Sequence, residues 1–528
     1  MTCSGGLPEP TGGESLKERV MGRVAVAVIV SLWVIPITLM VNHIVPEPYM
    51  DEIFHIPQAQ QYCRGNFRSW DPMITTPPGL YYLSLAHVAL FPSMLWLRSS
   101  SSFSDLCSTA ILRSSNGALT IICAMLLFEM LVHLRPDLDE RKATLYTVVL
   151  ALYPLHWFFS FLYYTDVASL TVVLSMYLAC LKKHYHFSSL LGALAILIRQ
   201  TNAVWVLFVA CDGAITFLGS HQNVNVQLDA SDVSIRKNAQ LSEERSVPMG
   251  TNLRKRKMLG VVNIVNHSSS AASSSTHVPA GLLNELRVII LGMWHLKWEL
   301  MVYFGPFLVV LLAFAMFILW NGSVVLGAKE AHAVSPHFAQ IMYFGLFSAL
   351  AMAPLHFNLQ QAAFLHQSLW KRKPLSFFPG IILLAAGIVS VHFFSIAHPY
   401  LLADNRHYTF YLWRKVIKAH WSVKYLLVPV YVYSWLSIFS TLGKIQKKIW
   451  VLVFFLATAA VLVPAPLIEF RYYTVPFYFL ILNSRISDTK SYLIMGMLYI
   501  AVNIFTMMMF LFRPFHWKHE PGTQRFIW

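Results

Sequence analysis

Asp51, Glu52 and His55 stand together in PYMDEIFHIPQAQQYC, residues 48–63, directly after the first long apolar run of the chain. Carboxylates are costly inside lipid, so the group belongs just outside the bilayer. There a carboxylate can take the proton of a hydroxyl that attacks a sugar carried on a polyprenyl phosphate. The leaving phosphate ester departs as an anion and needs no proton, so the other requirement is for cations to hold it. Arg406 and His407 in LADNRHYTFY, with Asp404 in the same string, Arg471 in EFRYY and Arg199 in IRQTN are the candidates. Guanidinium forks suit phosphate oxygens. One base without a covalent intermediate would invert the reacting carbon. Each group also has a plain structural reading: a DE pair at a membrane boundary, a loop held by Asp and Asn turn bonds, a histidine that only donates a hydrogen bond.

The elements that must position these residues are membrane spans. Of 528 residues, 56% are hydrophobic and 12% charged, and the mean hydropathy is +0.54. A soluble globule with an ordinary surface is excluded by that composition. Apolar runs such as 24–41, 308–320 and 451–463 recur along the chain, which predicts roughly thirteen spans. The first run has the length of a span and is followed by VNHIVPEPYM, with no small-residue cleavage site, so it is expected to stay as a signal anchor. The net charge of +15 comes from short basic groups between apolar runs, a membrane topology signal that implies no nucleic-acid partner. The six cysteines include no CxxC pair, and no metal or redox motif emerges. Cys123, Cys180 and Cys211 read as small core residues; a Cys63–Cys107 bridge would need both to face an oxidising lumen and is not expected.

The positive-inside rule puts LKERVMGR, RPDLDERK, LKKHYH, KRKP and KIQKK in the cytosol. Alternation then gathers the acidic, His-rich and Arg-containing connections on the other, luminal face. The chain divides into an N-terminal membrane module, 1–219, with a first luminal loop at 46–105, and a C-terminal module, 286–528. Between them 220–285 is polar and poor in aromatics, and reads as a disordered cytosolic loop whose RKRK supports topology. The sequon at Asn266 falls on the unmodified side, and the one at Asn321 sits too near a helix end to be relied on.

YMDEIFHIPQAQQYC, SWDPMITTPPGLYYLS, IRQTNAVWV, HPYLLADNRHYTFYLWRK, LIEFRYYTVPF and the terminal QRFIW, in this order, closely resemble the endoplasmic-reticulum alpha-1,2-glucosyltransferase family that adds the last glucose to the lipid-linked oligosaccharide for N-glycosylation. The likeness runs from about residue 20 to the last residue, outside 220–285. It implies an all-α polytopic membrane protein with the glycosyltransferase C superfamily fold, about 12–14 transmembrane helices and catalytic luminal loops. It also implies dolichyl phosphate glucose as donor and the diglucosylated, nine-mannose oligosaccharide on dolichyl diphosphate as acceptor, in the endoplasmic reticulum membrane with the site facing the lumen. By the same likeness Asp51 is the general base and Glu52 orients it or binds acceptor, with the reverse order open. His55, Asp71, Arg199, Asp404, Arg406, His407 and Arg471 form the expected substrate-binding set. Whether Glu469 or Arg471 faces the donor stays open, and no metal or cofactor is expected. A luminal mannosyltransferase lacks support because no long luminal insertion is present. A transporter would show half-repeats and charges at span centres, and neither is evident. A scaffold without catalysis would leave the one-sided clustering of polar motifs unexplained.

Overall fold

A computed structural model describes residues 12–95, 107–221, 281–332, 334–370, 377–486, 488–518 and 522–528. KRKP, RKRK, Asn266 and the stretches 96–105 and 222–280 lie outside the described residues. Among the described residues the first half is built from nine helices: α1 (Gly12–Ile44), α2 (Glu52–Cys63), α3 (Gly79–Leu95), α4 (Thr109–Leu134), α5 (Glu140–Ala151), α6 (Pro154–Phe159), α7 (Thr165–Leu181), α8 (Tyr185–Ile198) and α9 (Asn202–His221). In the second half the long helices are Lys297–Asn321, Val423–Leu442 and Thr489–Phe512. These three, α4, α9 and the 19–44 part of α1 are the six helices among the described residues long and apolar enough to cross a membrane. Shorter apolar helices, α7 and α8 among them, stand between them. The chain is therefore an all-helical, multi-pass membrane protein. Its described strands are two residues each, Phe515–His516 pairing antiparallel with Thr523–Gln524.

The helices are apolar all round because one face meets protein and the other lipid. On α1 the residues Val26, Val30, Val34, Thr38 and Val41 are buried at helical spacing, while Val24, Val28, Leu32, Ile35 and Leu39 are exposed. Small residues set how closely the helices approach. A Cβ on Gly117 of α4 would lie 3.2 Å from Val34, and one on Gly79 would lie 2.5 Å from the Leu197 carbonyl, so α3 crosses the end of α8 backbone to backbone. Above the inner part of α1 a second cluster joins Val41, Val45 and Tyr49 to Phe158, Phe159 and Leu162, to Phe510 and Leu511, and to Ile527. That cluster is the floor on which the polar site stands.

The described residues up to Gly213 and from Met301 onward form one compact unit, and Ala214–Leu300 forms another. Within the second, the helix Leu282–His295 carries exposed Leu283 and Trp294, and the Lys297 ammonium lies 4.8 Å from the Trp294 ring centroid.

The cysteine expectation is corrected in one respect. Cys63 at the end of α2 is bonded to Cys107, two residues before α4, with their Cα atoms 6.5 Å apart. Sequence supplies no such distance, and the 44-residue separation says nothing of it. Cys123 and Cys180 are buried and free as expected, and Cys211 is free and partly buried.

Asn321 turns its side chain inward. Its Nδ2 donates to the Ser323 and Val325 carbonyls, each at 2.8 Å, and its Oδ1 accepts from Lys329 Nζ at 3.0 Å. A glycan on Nδ2 would take a hydrogen from that pair of bonds. Peptide mapping of the protein expressed in eukaryotic cells is expected to recover the Asn321 peptide unmodified, and a glycosylated peptide there would show that the sequon is used before these hydrogen bonds form.

Candidate active site

The turn between α1 and α2 carries the acidic pair, and its geometry separates the two residues. Successive helix positions point about 100° apart. Glu52 therefore enters the protein while Asp51, at the N-cap, faces the cleft. Glu52 is fully buried against the equally buried Arg113 of α4. Its Oε1 accepts from Arg113 Nε at 2.8 Å and from the Tyr163 amide at 2.6 Å; its Oε2 accepts from Arg113 Nη2 at 2.5 Å and from the Tyr49 amide at 3.1 Å. Arg113 Nη1 also donates to Asn42 Oδ1 and the Val45 carbonyl, and Nη2 to the Glu47 carbonyl. All five guanidinium hydrogens are thus used, and both carboxylate oxygens are doubly satisfied. Glu52 has no surface to offer a substrate. It pins residues 42–52, including Met50, whose φ of 56° lies in the left-handed region that a side chain rarely adopts.

Asp51 is presented on the other side of that pinned turn. Its amide donates to Tyr164 Oη at 3.2 Å, and its Oδ2 accepts from Arg471 Nη1 at 2.6 Å. The carboxylate keeps 39% of its side-chain surface accessible, so a hydroxyl can reach it. Burial works to raise its pKa, but the charge and hydrogen bond of Arg471 outweigh that and hold it below the usual carboxylate range. Arg471 comes from the short 3-10 turn Phe470–Tyr473, and its Nε donates to Glu469 Oε2. Burial disfavours its charge, yet Glu469 and Asp51 together raise its pKa above the ordinary value. Both members of the pair that EFRYY left open therefore enter the cluster, Glu469 as the anchor of Arg471.

The other guanidinium at this wall is Arg199, which caps α8 and donates from Nη1 to Asp166 Oδ1 at 2.6 Å. Tyr472 lies between the two cations, its ring centroid 5.5 Å from the Arg199 guanidinium and 6.0 Å from that of Arg471. Asp166 is buried and its Oδ2 has no partner among the described residues. That oxygen is a natural acceptor for a hydroxyl. One turn along α2 from Asp51, His55 places Nδ1 2.7 Å from Tyr81 Oη, and burial lowers its pKa, which keeps the ring neutral at pH 7.

The remaining expected residues divide. Arg406 is clamped by Asp404 through Nε, at 2.9 and 3.1 Å, and through Nη2 at 2.7 Å. It also donates from Nη1 to Gln524 Oε1 at 3.0 Å and lies 4.7 Å from the Trp517 ring centroid. This guanidinium braces a loop, the bland reading of ADNRHY. Asp404 is held below its ordinary pKa by Arg406, against the opposing pull of burial. His407 Nδ1 donates to the Trp528 oxygen at 2.9 Å, which leaves Nε2, 3.8 Å from Asp404, as the unprotonated nitrogen when the ring is neutral. Asp71 closes a turn, accepting from the Met73 amide at 2.9 Å and donating its own amide to Gln58 Oε1 at 3.0 Å. The structure thus gathers Asp51, His55, Arg199, His407 and Arg471 at one cleft and gives Glu52, Asp71, Asp404 and Arg406 the work of shaping it.

Sequence reading had not assigned roles to Arg113, Tyr164, Tyr472 or the C-terminal segment in this arrangement. Of these, Tyr472 lies in a string singled out in the sequence, EFRYY. The segment docks beside them: Ile527 accepts from the Tyr408 amide at 3.1 Å and donates to the Arg406 carbonyl at 2.9 Å, while Tyr49 Oη donates to the Arg525 carbonyl at 2.7 Å and accepts from its amide at 2.8 Å.

Fold and site define a multi-pass membrane protein with a carboxylate–guanidinium cleft beside its helices. The DIE2/ALG10 family model matches residues 45–482, and the chain belongs to that family. It is 56% identical over 520 residues, 96% of its own length and all of the relative's, to a protein of Arabidopsis thaliana named Dol-P-Glc:Glc(2)Man(9)GlcNAc(2)-PP-Dol alpha-1,2-glucosyltransferase. Proteins of the same name from Mus musculus and Homo sapiens are 34% and 33% identical over 488 residues, 91% of this chain and 93% of each relative. No solved structure matches the chain.

Proposed function

We infer that this chain transfers glucose from dolichyl phosphate glucose to the diglucosylated, nine-mannose oligosaccharide on dolichyl diphosphate, forming the terminal alpha-1,2 linkage of the N-glycan precursor. The end-to-end likeness at 56% identity to a relative of that name carries the reading. The cleft fits it chemically.

Asp51 is the general base. Its carboxylate takes the proton of the acceptor hydroxyl, the hydroxyl oxygen bonds to the donor's anomeric carbon, and the bond from that carbon to the phosphate oxygen breaks with its electrons. Dolichyl phosphate leaves as the anion, and a single displacement inverts the centre, as a beta-linked donor and an alpha-linked product require. Arg471 meets the charge that grows on the phosphate, with Arg199 completing the cationic wall and His407 beside it. Asp166 and His55 are placed to bond sugar hydroxyls. The step is proposed to need no metal and no cofactor, because the Arg471 guanidinium meets the charge that a metal would otherwise neutralise.

The cleft faces the lumen of the endoplasmic reticulum. The Cys63–Cys107 bond stands on the cleft side, and disulfides persist in oxidising compartments. Arg135, Lys182 and Lys183 stand at the far ends of α4 and α7, where the positive-inside rule expects cytosol.

The test is transfer by purified protein from dolichyl phosphate glucose to a synthetic diglucosylated acceptor, followed by mass spectrometry. A gain of one hexose in an alpha-1,2 linkage is expected. Transfer from dolichyl phosphate mannose instead would make the chain a sister transferase.

A further inference from the structure

We propose that Arg471 switches partners during the reaction: it covers Asp51 while the cleft is empty and moves to the donor phosphate when the lipid-linked sugar binds, uncovering the base. This inference rests on the glucosyltransferase reading and adds how its site is controlled.

The geometry carries it. A carboxylate held at 2.6 Å by a guanidinium is a poor base, since the charge-assisted bond stabilises the ionised form. The same guanidinium is tethered elsewhere: Nε is bound to Glu469, and Nη2 has no partner among the described residues. Glu469 can thus keep Arg471 in place while Nη1 is exchanged and Nη2 takes a phosphate oxygen. Arg471 keeps 19% of its side-chain surface accessible, so an incoming anion can reach it.

The charges around Asp51 identify Arg471 as the controlling one. His55 faces it from its own helix, His407 from the 404–408 loop, and Tyr164 from the turn before α7. Arg471 and Glu469 face it from the 469–472 segment. Arg471 acts most strongly on Asp51, by charge and by hydrogen bond, with the neighbouring imidazoles of His55 and His407 behind it. Asp166, Arg199 and Tyr472 act on Arg471 or its neighbours from the same wall.

The reaction's own charges fit the exchange. The donor is a phosphodiester with one negative charge, and the departing dolichyl phosphate gains a second as the anomeric carbon–oxygen bond breaks. Asp51 loses its charge as it receives the acceptor proton. One negative charge therefore passes from Asp51 to phosphate, and a guanidinium between them favours the state in which the phosphate carries it.

The pH dependence of single-turnover glucose transfer tests this. At limiting donor the acid limb reports Asp51 in the free enzyme, and at saturating donor it reports Asp51 in the complex. The saturating-donor limb is expected about one pH unit or more above the limiting-donor limb, the size of effect that an adjacent arginine exerts. In Arg471→Gln the two limbs are expected to coincide near the higher value. Coincident limbs in the wild type would overturn the exchange, whether or not the variant folds. Absence of any transfer would instead strike at the glucosyltransferase reading, and acid limbs that survive in Asp51→Asn would strike at Asp51 as the base.

Discussion

Asp51→Asn is expected to lose about 100- to 10,000-fold in glucose transfer at neutral pH, the range supplied by a positioned general base. The amide keeps the shape of the carboxylate and can still accept the Arg471 hydrogen bond now seen at 2.6 Å. Folding should therefore survive, with the unfolding temperature in detergent close to wild type. Donor affinity should be unchanged or higher, because a neutral side chain competes less with phosphate for Arg471. In the wild type the rate should fall as pH drops through the Asp51 pKa, since protonation removes the base. A depressed folded-state pKa also means that the ion pair's contribution to stability is present above the unfolded value and is lost on acidification through the lower one. Transfer near the wild-type rate by Asp51→Asn would move the base elsewhere in the cleft.

Arg113→Ala should act through stability. It leaves Glu52 ionised and buried with two backbone amides as its remaining partners, and it orphans the carbonyls of Val45 and Glu47. Breaking a buried pair by removing one partner costs about 3–5 kcal/mol. A markedly lower unfolding temperature and a poor yield of folded protein are expected. Glu52→Gln should move in the same direction, for the mirror-image reason that Arg113 loses its counter-charge. Replacing both, as in Glu52→Met with Arg113→Met, should recover part of the loss, because two buried charges disappear together. If Glu52 were the base, Glu52→Gln would instead be as stable as the wild type and inactive. Wild-type unfolding temperatures for both single variants would refute the clamp.

The sequence showed which strings meet more clearly than which atoms face one another. PYMDEIFH, IRQTN, ADNRHY and EFRYY are polar islands between apolar runs, and lipid forces such islands to one side or the other. Their gathering into one cleft follows from topology. The division of labour between Asp51 and Glu52 does not, because adjacent residues differ only in rotation about a helix whose start is fixed by Met50, Tyr163 and Arg113. Arg406 shows the same gap: as a cation it looked available, but a carboxylate two residues away already holds it. The shorter helices were hard to bound for another reason. In α6, Pro154–Phe159, apolar residues continue across breaks in the helix, so hydropathy sees one run where the backbone makes several pieces.

The contact between Tyr49 and Arg525 spans 476 residues of sequence, and the Ile527 and Trp528 contacts with residues 406–408 bring the same segment to the other wall. The site is therefore built from stretches 476 residues apart in sequence. A ribosome-bound chain that has exposed only the turn before α2 has Asp51 but lacks Glu469, Arg471 and the segment that braces His407. Competence for glucose transfer consequently requires that these two distant stretches have met.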